Sequence, residues 1–285
     1  MQHIDNPYTA LFQARVLHYL KQGIIPWRQG FSTHGVARTY IDNRSISGIS
    51  WLLCNFMTPY PLPYYLNWQQ LKSMGGKVQK NTKAEFIYYQ KGEKWQRFPI
   101  YNIACIEGVE FEKNNAQKEE KRIYEKIDTW TTPLLHAIPT EPTLWRVPKW
   151  NPLKDTVKLP AQKIPSTTYY WHLFKALLTY LTDTSEEQLV PHLLLYYPYA
   201  SQQQQLTCEL GAAYLCGYFG LFTPPTFKDN ASEILDWQYH IYRYPEMLLG
   251  SILEMRQLVN LLFEKQRLYA STKNNNYAQE KPVRL

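Results

Sequence analysis

Residues 169–180, with the sequence YYWHLFKALLTY, combine a helical apolar pattern with two side chains that could do chemistry. Leu173 and Leu177 recur at helical spacing, which predicts one buried face. His172 and Lys175 could each serve as a base or a nucleophile. The segment is therefore either part of an active site or the core helix of a domain.

Histidine and cysteine most often bind transition metals, and in this chain they are scattered. No two of the seven histidines lie three or four residues apart, so no single helix supplies a two-histidine site. The four cysteines contain no Cys-x-x-Cys pair, which argues against a thiolate zinc site and a disulfide framework. We expect no metal and no cofactor, and buried thiols at Cys54, Cys105, Cys208 and Cys216.

Positive charge is concentrated in the first third of the chain. Residues 1–105 contain twelve Lys and Arg against four Asp and Glu, whereas the remainder is close to neutral. Such an excess is expected where a surface meets a polyanion. A basic surface that serves solubility is the alternative that charge alone leaves open.

Cations and flat side chains are interleaved in this basic region. The lysines fall on a short helix and the turn after it, where they could follow a phosphate backbone, and aromatic rings could stack on unpaired bases. Many of the aromatics, Trp68 among them, are expected to fill the core of a small α+β unit instead. No arginine-lined recognition helix of the kind that reads duplex DNA is found, so single-stranded DNA is the favoured ligand. The predicted nucleic-acid-binding residues are Trp27, Arg28, Arg44, Lys72, Lys77, Lys80, Lys83, Tyr88 and Trp95.

Patterning along the chain predicts an α+β fold with two domains. The first, residues 1–111, has a helix over 7–22, a helix over 67–74 capped by Asn67, and a pair of aromatic-rich strands. Residues 112–132 are dense in charge and predict a linker or exposed loop, helical in part.

The second domain, residues 133–270, is predicted to be mostly helical. Seven prolines over 133–165 favour extended strands and loops at its start. The tail, residues 271–285, is expected to be disordered. Helices are predicted over 167–182, part of 186–196, 203–219, 230–241 and 246–268.

The order of several short motifs in the first domain resembles the N-terminal single-stranded-DNA-binding domain of ArdC-type antirestriction proteins. The sequence departs from the family pattern at Ile46, Ser50 and Asn81, which puts contacts made by those side chains in question. The matching positions are Pro26-Trp27, Gly48-Ile49, Gln69, Gly75-Gly76, Val78, Lys80, Asn102 and Gly108.

The same resemblance implies that the second domain is similar to a zincin-type metallopeptidase. Its His-Glu-x-x-His helix aligns with residues 169–179, and its third-ligand helix aligns with residues 204–220. Such a helix works because two imidazoles bind zinc while the glutamate takes a proton from the metal-bound water. Lys175, Ala176 and Thr179 stand at these three positions, and only Glu209 remains of the ligand set.

A lone carboxylate on an apolar helix requires a compensating charge. We therefore predict an ion pair between Lys175 and Glu209 in the place of the metal; the alternative is that both side chains reach solvent separately. His172 lies one turn too early to replace a ligand and is expected to be a structural histidine.

These observations predict a cytoplasmic single-stranded-DNA-binding protein, related to ArdC antirestriction proteins, with a catalytically inactive peptidase-like domain. The family setting implies a plasmid or other mobile element, with duplex DNA as a further ligand and a protein partner in a DNA-handling complex. The alternative is an interaction scaffold in such a complex that has lost DNA affinity. An active hydrolase with a relocated site would need a Ser-His-Asp or Cys-His signature, and none is found. No apolar stretch is long enough to predict a membrane span.

Overall fold

The computed structural model describes residues 8–29, 35–91, 94–111, 120–184, 199–221 and 231–279. This part of the chain has an N-terminal region with sheets and a C-terminal region dominated by helices, so the predicted α+β class is confirmed. The helix predicted within 186–196 and residues 112–119 of the predicted linker lie outside the described residues.

A four-stranded sheet and a two-stranded ladder build the N-terminal region. Its elements are α1 (Thr9–Lys21), a 3-10 turn (Pro26–Arg28), β1 (Arg38–Thr39), α2 (Ile49–Phe56), β2 (Tyr64–Asn67), α3 (Trp68–Ser73), β3 (Lys77–Val78), β4 (Glu85–Lys91), β5 (Lys94–Asn102) and β6 (Ile106–Glu107). The larger sheet has the order β1-β2-β5-β4, and β3 pairs with β6. The predicted pair of strands is the antiparallel hairpin of β4 and β5, in which Ile87 lies opposite Phe98.

Helix α1 attaches this region to the rest of the molecule. Phe12, Val16 and Leu20 recur every four residues and are buried. The side chain of Gln13 donates to the backbone carbonyl of Ile241, which lies on a helix near the other end of the chain. The helix therefore packs against the last two helices of the C-terminal region.

The C-terminal region is a helical bundle with a small sheet on one side. Its elements are α4 (Glu120–Ala137), β7 (Thr140–Thr143), β8 (Lys149–Asn151), β9 (Thr156–Pro160), α5 (Thr167–Thr184), α6 (Ala200–Phe219), α7 (Ala231–Arg243) and α8 (Pro245–Gln279). The sheet has the order β7-β9-β8, with β7 parallel and β8 antiparallel to β9. Pro245 occupies the first turn of α8, where its missing N–H has no helical acceptor to lose.

Two segments differ from their predictions. The linker is predicted to be helical in part, and all of its described residues, 120–132, lie in α4, where Ile123 and Ile127 are buried on the inner face. The helix also contains Pro133, which the sequence places in an extended segment. At the other end, α8 continues to Gln279 and so includes residues of the predicted disordered tail.

One continuous hydrophobic core joins the two regions. It contains Trp27 and Trp51 from the N-terminal region together with Leu177, Trp237 and others from the helical bundle. Full burial of each large apolar side chain stabilises the fold by roughly 1.5–3 kcal/mol, so the interface between the regions is itself part of the stability of the chain.

Candidate functional site

Glu209 is a fully buried carboxylate near the middle of α6. Its neighbours on that helix are mostly apolar, so a charge there loses its hydration and needs compensation from the protein. Side chains from two other parts of the chain, the 3-10 turn at Pro26–Arg28 and α5, approach its two oxygens.

The carboxylate accepts hydrogen bonds on both oxygens. The Lys175 Nζ lies 2.8 Å from Oε1, so the predicted ion pair is present. The Arg28 guanidinium binds in a fork, with Nη2 2.6 Å from Oε1 and Nε 2.9 Å from Oε2. The Trp27 Nε1 donates to Oε2 at 2.9 Å. Arginine presents its donors in a planar fork that matches a carboxylate, which makes this the more directional of the two ion pairs.

A second carboxylate completes the cluster. Arg28 Nη2 also donates to Glu233 Oε1 at 2.5 Å, and Glu233 is on α7. The indole of Trp171 lies beside both cations, with its ring centre 5.4 Å from Lys175 Nζ and 6.0 Å from Arg28 Cζ. Two positive and two negative groups therefore balance. We call these four side chains, Arg28, Lys175, Glu209 and Glu233, the charge cluster.

The charges of the cluster influence the protonation of Glu209 and of the neighbouring His172. Burial acts to raise the pKa of Glu209, but the charges of Lys175 and Arg28 outweigh it and bring the pKa to about 2. The pKa of His172 falls to about 4, first because the ring is buried and then because Lys175 lies near it. At neutral pH, Glu209 is thus ionised and His172 is neutral.

The other two positions of the aligned metal helix carry no ligand. Ala176 is buried, and the Thr179 hydroxyl donates to the Lys175 carbonyl of its own helix at 2.9 Å. Nearby, burial raises the pKa of the Cys208 thiol to about 11, so its nucleophilic thiolate is suppressed.

The charge cluster does not fit a metal ion. A divalent cation requires several anionic or neutral donors, whereas Glu209 already faces an ammonium and a guanidinium. Across the described ranges, no three His, Cys, Asp or Glu side chains are grouped so that they could hold a metal.

The structure contradicts the predicted DNA contact of Trp27 and Arg28. Their exposed fractions are 1% and 8%, and both side chains point inward to Glu209. The sequence could not reveal this, because Glu209 lies 182 residues beyond Trp27 in the chain. A weak signal was present: a carboxylate within an apolar helix calls for donors from elsewhere.

The predicted lysines and Arg44 lie at the surface. Lys72 is on α3, Lys77 is on β3, and Lys80 and Lys83 are in the turn that follows; all four are exposed. Arg44 is exposed too, although its guanidinium pairs with Asp42 at 2.9 Å. These four lysines form what we call the lysine surface.

The aromatic side chains that are exposed differ from those predicted to contact DNA. Tyr88 and Trp95 are half-buried and pack against the main core. Trp68, which the sequence predicts in the core, is 54% exposed and lies against Tyr101 with a centroid separation of 6.2 Å. Because residues four apart share a helix face, Trp68 and Lys72 stand on the same side of α3. The stacking side chain best placed beside the lysine surface is therefore Trp68.

A helix cap and two glycines determine the backbone conformation of the lysine surface. The predicted cap is confirmed: Asn67 Oδ1 accepts from the Gln70 backbone, and the Gln70 side chain accepts from the Asn67 backbone. Gly75 ends α3 with φ +74, and a Cβ at Gly76 would come within 2.6 Å of Leu71 and 2.8 Å of Val109. Gly75 thus suits a left-handed conformation, and a side chain at Gly76 would force Leu71 and Val109 to shift.

The three residues that differ from the family pattern, Ile46, Ser50 and Asn81, are compatible with the backbone shape of the lysine surface. Asn81 replaces a glycine and has φ +66, a left-handed conformation that asparagine tolerates better than most residues. Ile46 and Ser50 are buried, and the Ser50 hydroxyl accepts a hydrogen bond from the Tyr88 backbone at 2.9 Å. These substitutions therefore serve packing and leave the exposed cations in place.

Comparison with known structures defines the class of fold. The antirestriction ArdC protein from plasmid R388 is similar in its metal-free structure, with a TM-score of 0.64 and 17% identity over 91% of this chain and 97% of that one. Its Mn(II)-bound structure gives a TM-score of 0.66 and 16% identity over 90% and 97%. At these identities the likeness establishes a shared fold over nearly the whole length.

Sequence comparison adds the family. Residues 6–130 match the family described as the N-terminal domain of anti-restriction factor ArdC. No curated protein matches the chain by sequence. Residues 6–130 therefore match the ArdC N-terminal domain family, and nearly the whole chain shares the fold of the ArdC structures.

Within the described ranges, no helix combines the length and the apolar character that a membrane span needs.

Proposed function

We propose that this ArdC-type protein binds single-stranded DNA through the lysine surface and Trp68, in the service of a mobile genetic element. The observation that carries the proposal is the set of four exposed lysines next to an exposed indole on a capped helix. Among the described residues, none of the four lysines is engaged in a salt bridge, so their charge is available to phosphates.

The arrangement favours single strands over duplex DNA. Flexible ammonium groups can follow a phosphate backbone of any sequence, and an exposed indole offers a face on which an unpaired base can stack. A paired base hides its faces within the duplex, so Trp68 would gain nothing from it. Duplex DNA remains a weaker ligand that binds through phosphates alone.

Relatives support the biological setting. The matched family is the N-terminal domain of an anti-restriction factor, and the similar solved structures belong to an antirestriction protein from plasmid R388. We therefore propose protection or handling of transferred DNA in the bacterial cytoplasm as the role of this chain.

We further propose that the C-terminal region is a zincin-like domain without catalysis. One of the similar structures is Mn(II)-bound, whereas here the charge cluster supplies two organic cations to the one remaining carboxylate. Lys175, Ala176 and Thr179 offer neither a ligand pair nor a general base at the aligned positions. The region would then act through its shape and its contacts.

The scaffold alternative is favoured by one observation. Leu235, Tyr239 and Tyr242 form an exposed stripe on α7, with exposed fractions of 62%, 61% and 74%. A stripe of this kind is typical of protein contacts. It is compatible with DNA binding at the lysine surface, and the two functions are separable by experiment.

Binding of labelled oligonucleotides across a salt series tests the proposal. Single-stranded DNA should bind with log K falling linearly against log salt, and more tightly than duplex DNA of the same sequence. Replacing Lys77, Lys80 and Lys83 with alanine should reduce the slope by about 2, since each phosphate contact on a single strand contributes roughly 0.7.

A matched control removes three exposed cations from the helical region. Lys121→Ala, Arg243→Ala and Arg267→Ala together change net charge equally and should leave the slope close to that of the unmodified protein. Equal effects of the two triple variants would mean that net charge and not the lysine surface drives binding. If oligonucleotide binding is undetectable or independent of salt, the proposal is contradicted and the scaffold alternative is favoured.

A further inference from the structure

An exposed apolar loop follows β7 in the C-terminal region, far in sequence from the lysine surface. Leu144 is fully exposed and Trp145 is 66% exposed, although both are large apolar side chains. Single exposed apolar residues are ordinary, but two adjacent ones at a loop tip suggest a surface that contacts something. We call residues 144–149 the tryptophan loop.

Two exposed cations belong to the same loop as this indole. Arg146 and Lys149 are both exposed, and Lys149 Nζ lies 5.9 Å from the centre of the Trp145 ring. The sequence from 142 to 154 contains no Asp or Glu. The loop therefore presents an exposed indole together with two exposed cations and no carboxylate.

The small sheet gives the loop a fixed base. Because β7 and β9 are parallel, both end at the same edge, and β8 begins there with Lys149 opposite Lys158. The backbone of Ala161 donates to the Thr143 carbonyl at 3.2 Å, and the backbone of Trp145 donates to the Thr143 hydroxyl at 3.3 Å. These hydrogen bonds fix the backbone at Trp145, so less conformational entropy is lost when the loop binds a ligand.

We infer that the tryptophan loop is a second contact site for single-stranded DNA, at which Trp145 stacks on a base while Arg146 and Lys149 neutralise adjacent phosphates. The argument is charge complementarity: an uninterrupted basic loop matches a polyanion, and an exposed indole matches an unpaired base. The inference extends the proposed function to the C-terminal region, and it concerns residues separate from the lysine surface.

Photo-crosslinking of the full chain to a thymidine-rich oligonucleotide that carries 5-iodouracil is the direct test. Mass spectrometry of the peptides should find an adduct on Trp145. Trp145→Ala should lower affinity for the oligonucleotide roughly 5- to 150-fold, the loss expected for one stacked base, while Trp145→Phe should retain most of it.

A charge series separates the tryptophan loop from net charge. Arg146→Ala with Lys149→Ala should reduce the slope of log K against log salt by about 1.4. Arg243→Ala with Arg267→Ala removes the same charge from exposed helix positions and should not. Circular dichroism should be unchanged in all four variants, because the substituted side chains are exposed.

The outcomes distinguish this inference from the proposed function. If the lysine-surface variant loses slope while the loop variants bind normally and Trp145 carries no adduct, the second site is excluded and the proposed function stands. If vesicles of phosphatidylcholine and phosphatidylserine bind through Trp145 while no DNA adduct forms there, the loop is a lipid contact and the inference is overturned. Absence of any DNA binding would overturn both.

Discussion

Glu209 retains its charge inside the protein because two cations, Arg28 and Lys175, form ion pairs with it. Arg28 is the more buried cation, with 9% of its side chain exposed against 28% for Lys175. It also bonds Glu233, so its loss would disturb two carboxylates. A buried ion pair is weak evidence of net stabilisation, but the loss of one partner leaves an uncompensated charge.

A double-mutant cycle measures how strongly Lys175 and Glu209 are coupled. Glu209→Gln should lower the free energy of unfolding by about 3–5 kcal/mol, because Arg28 and Lys175 then face each other without the buried anion. Lys175→Met should cost less, because Arg28 still compensates Glu209. The double variant should lose less than the sum of the two, with a coupling of about 1–3 kcal/mol in urea unfolding.

A lysine in an exposed salt bridge provides the control for this cycle. Lys154 pairs with Glu141 at 3.1 Å and is 66% exposed, so Lys154→Met should change stability by no more than about 1 kcal/mol. If the changes in unfolding free energy for Lys175→Met and Glu209→Gln are additive, the two side chains act independently. That result would contradict the hypothesis that the Lys175 ammonium occupies the position of a metal.

At the scale of elements, the turn after β3 shows how a change in sequence can preserve a surface. Asn81 holds a left-handed conformation between Lys80 and Lys83. Its φ of +66 fixes the direction in which the chain leaves β3 and enters β4. The positions of both lysines therefore depend on one residue whose own side chain need not touch DNA.

Substitutions at Asn81 should separate conformation from contact. Asn81→Gly should leave both stability and oligonucleotide affinity nearly unchanged, because glycine adopts positive φ readily. Asn81→Val should cost roughly 1–2 kcal/mol or more, because a β-branched residue clashes with its own backbone there. Thermal unfolding and oligonucleotide titration check the pair; a loss of affinity in the glycine variant would instead assign the Asn81 side chain to the ligand.

Much of the element pattern could be predicted from sequence because it is local. Apolar spacing predicted α1, the Asn-x-x-Gln cap predicted the start of α3, and aromatic and β-branched residues predicted the β4–β5 hairpin. The beginning of α4 was predicted only as a partly helical linker, because its charged outer face dominates the composition, although Ile123 and Ile127 stand at helical spacing. Local patterns predicted elements well where one face is apolar and poorly where charge hides it.

The candidate site was only partly predictable, because its partners are distant in sequence. Lys175 and Glu209 could be paired through the family alignment, and the structure has that pair. Nothing local to Trp27 and Arg28 indicates a partner 181 or more residues away, so their basic and aromatic character suggested DNA instead. Exposure of Trp68 was likewise a tertiary outcome, decided by where α3 lies on the sheet.

The whole molecule is joined more tightly than its two-domain prediction suggests. Trp27 lies edge-on to Trp237 with a centroid distance of 5.7 Å, and Trp51 lies 5.5 Å from Tyr214. The ion pair of Arg28 with Glu209 spans the same boundary. Because apolar packing and a buried ion pair both lie at this interface, the stability of each region depends on contacts with the other.

We therefore expect the intact chain to unfold in one cooperative transition, and residues 1–111 alone to lack a stable fold. The isolated segment would expose Trp27, Phe12 and Val16, whose partners lie in the helical bundle, and would leave Arg28 without its carboxylates. Urea unfolding followed by both far-UV and near-UV circular dichroism should give coincident curves for the intact chain, while residues 1–111 should bind a hydrophobic dye and melt without a sharp midpoint. Two separated transitions in the intact chain, with a sharp melt of residues 1–111 alone, would instead establish independent domains. The shared core would then be only a contact between two folded domains. In that case, the lysine surface could bind DNA without the charge cluster.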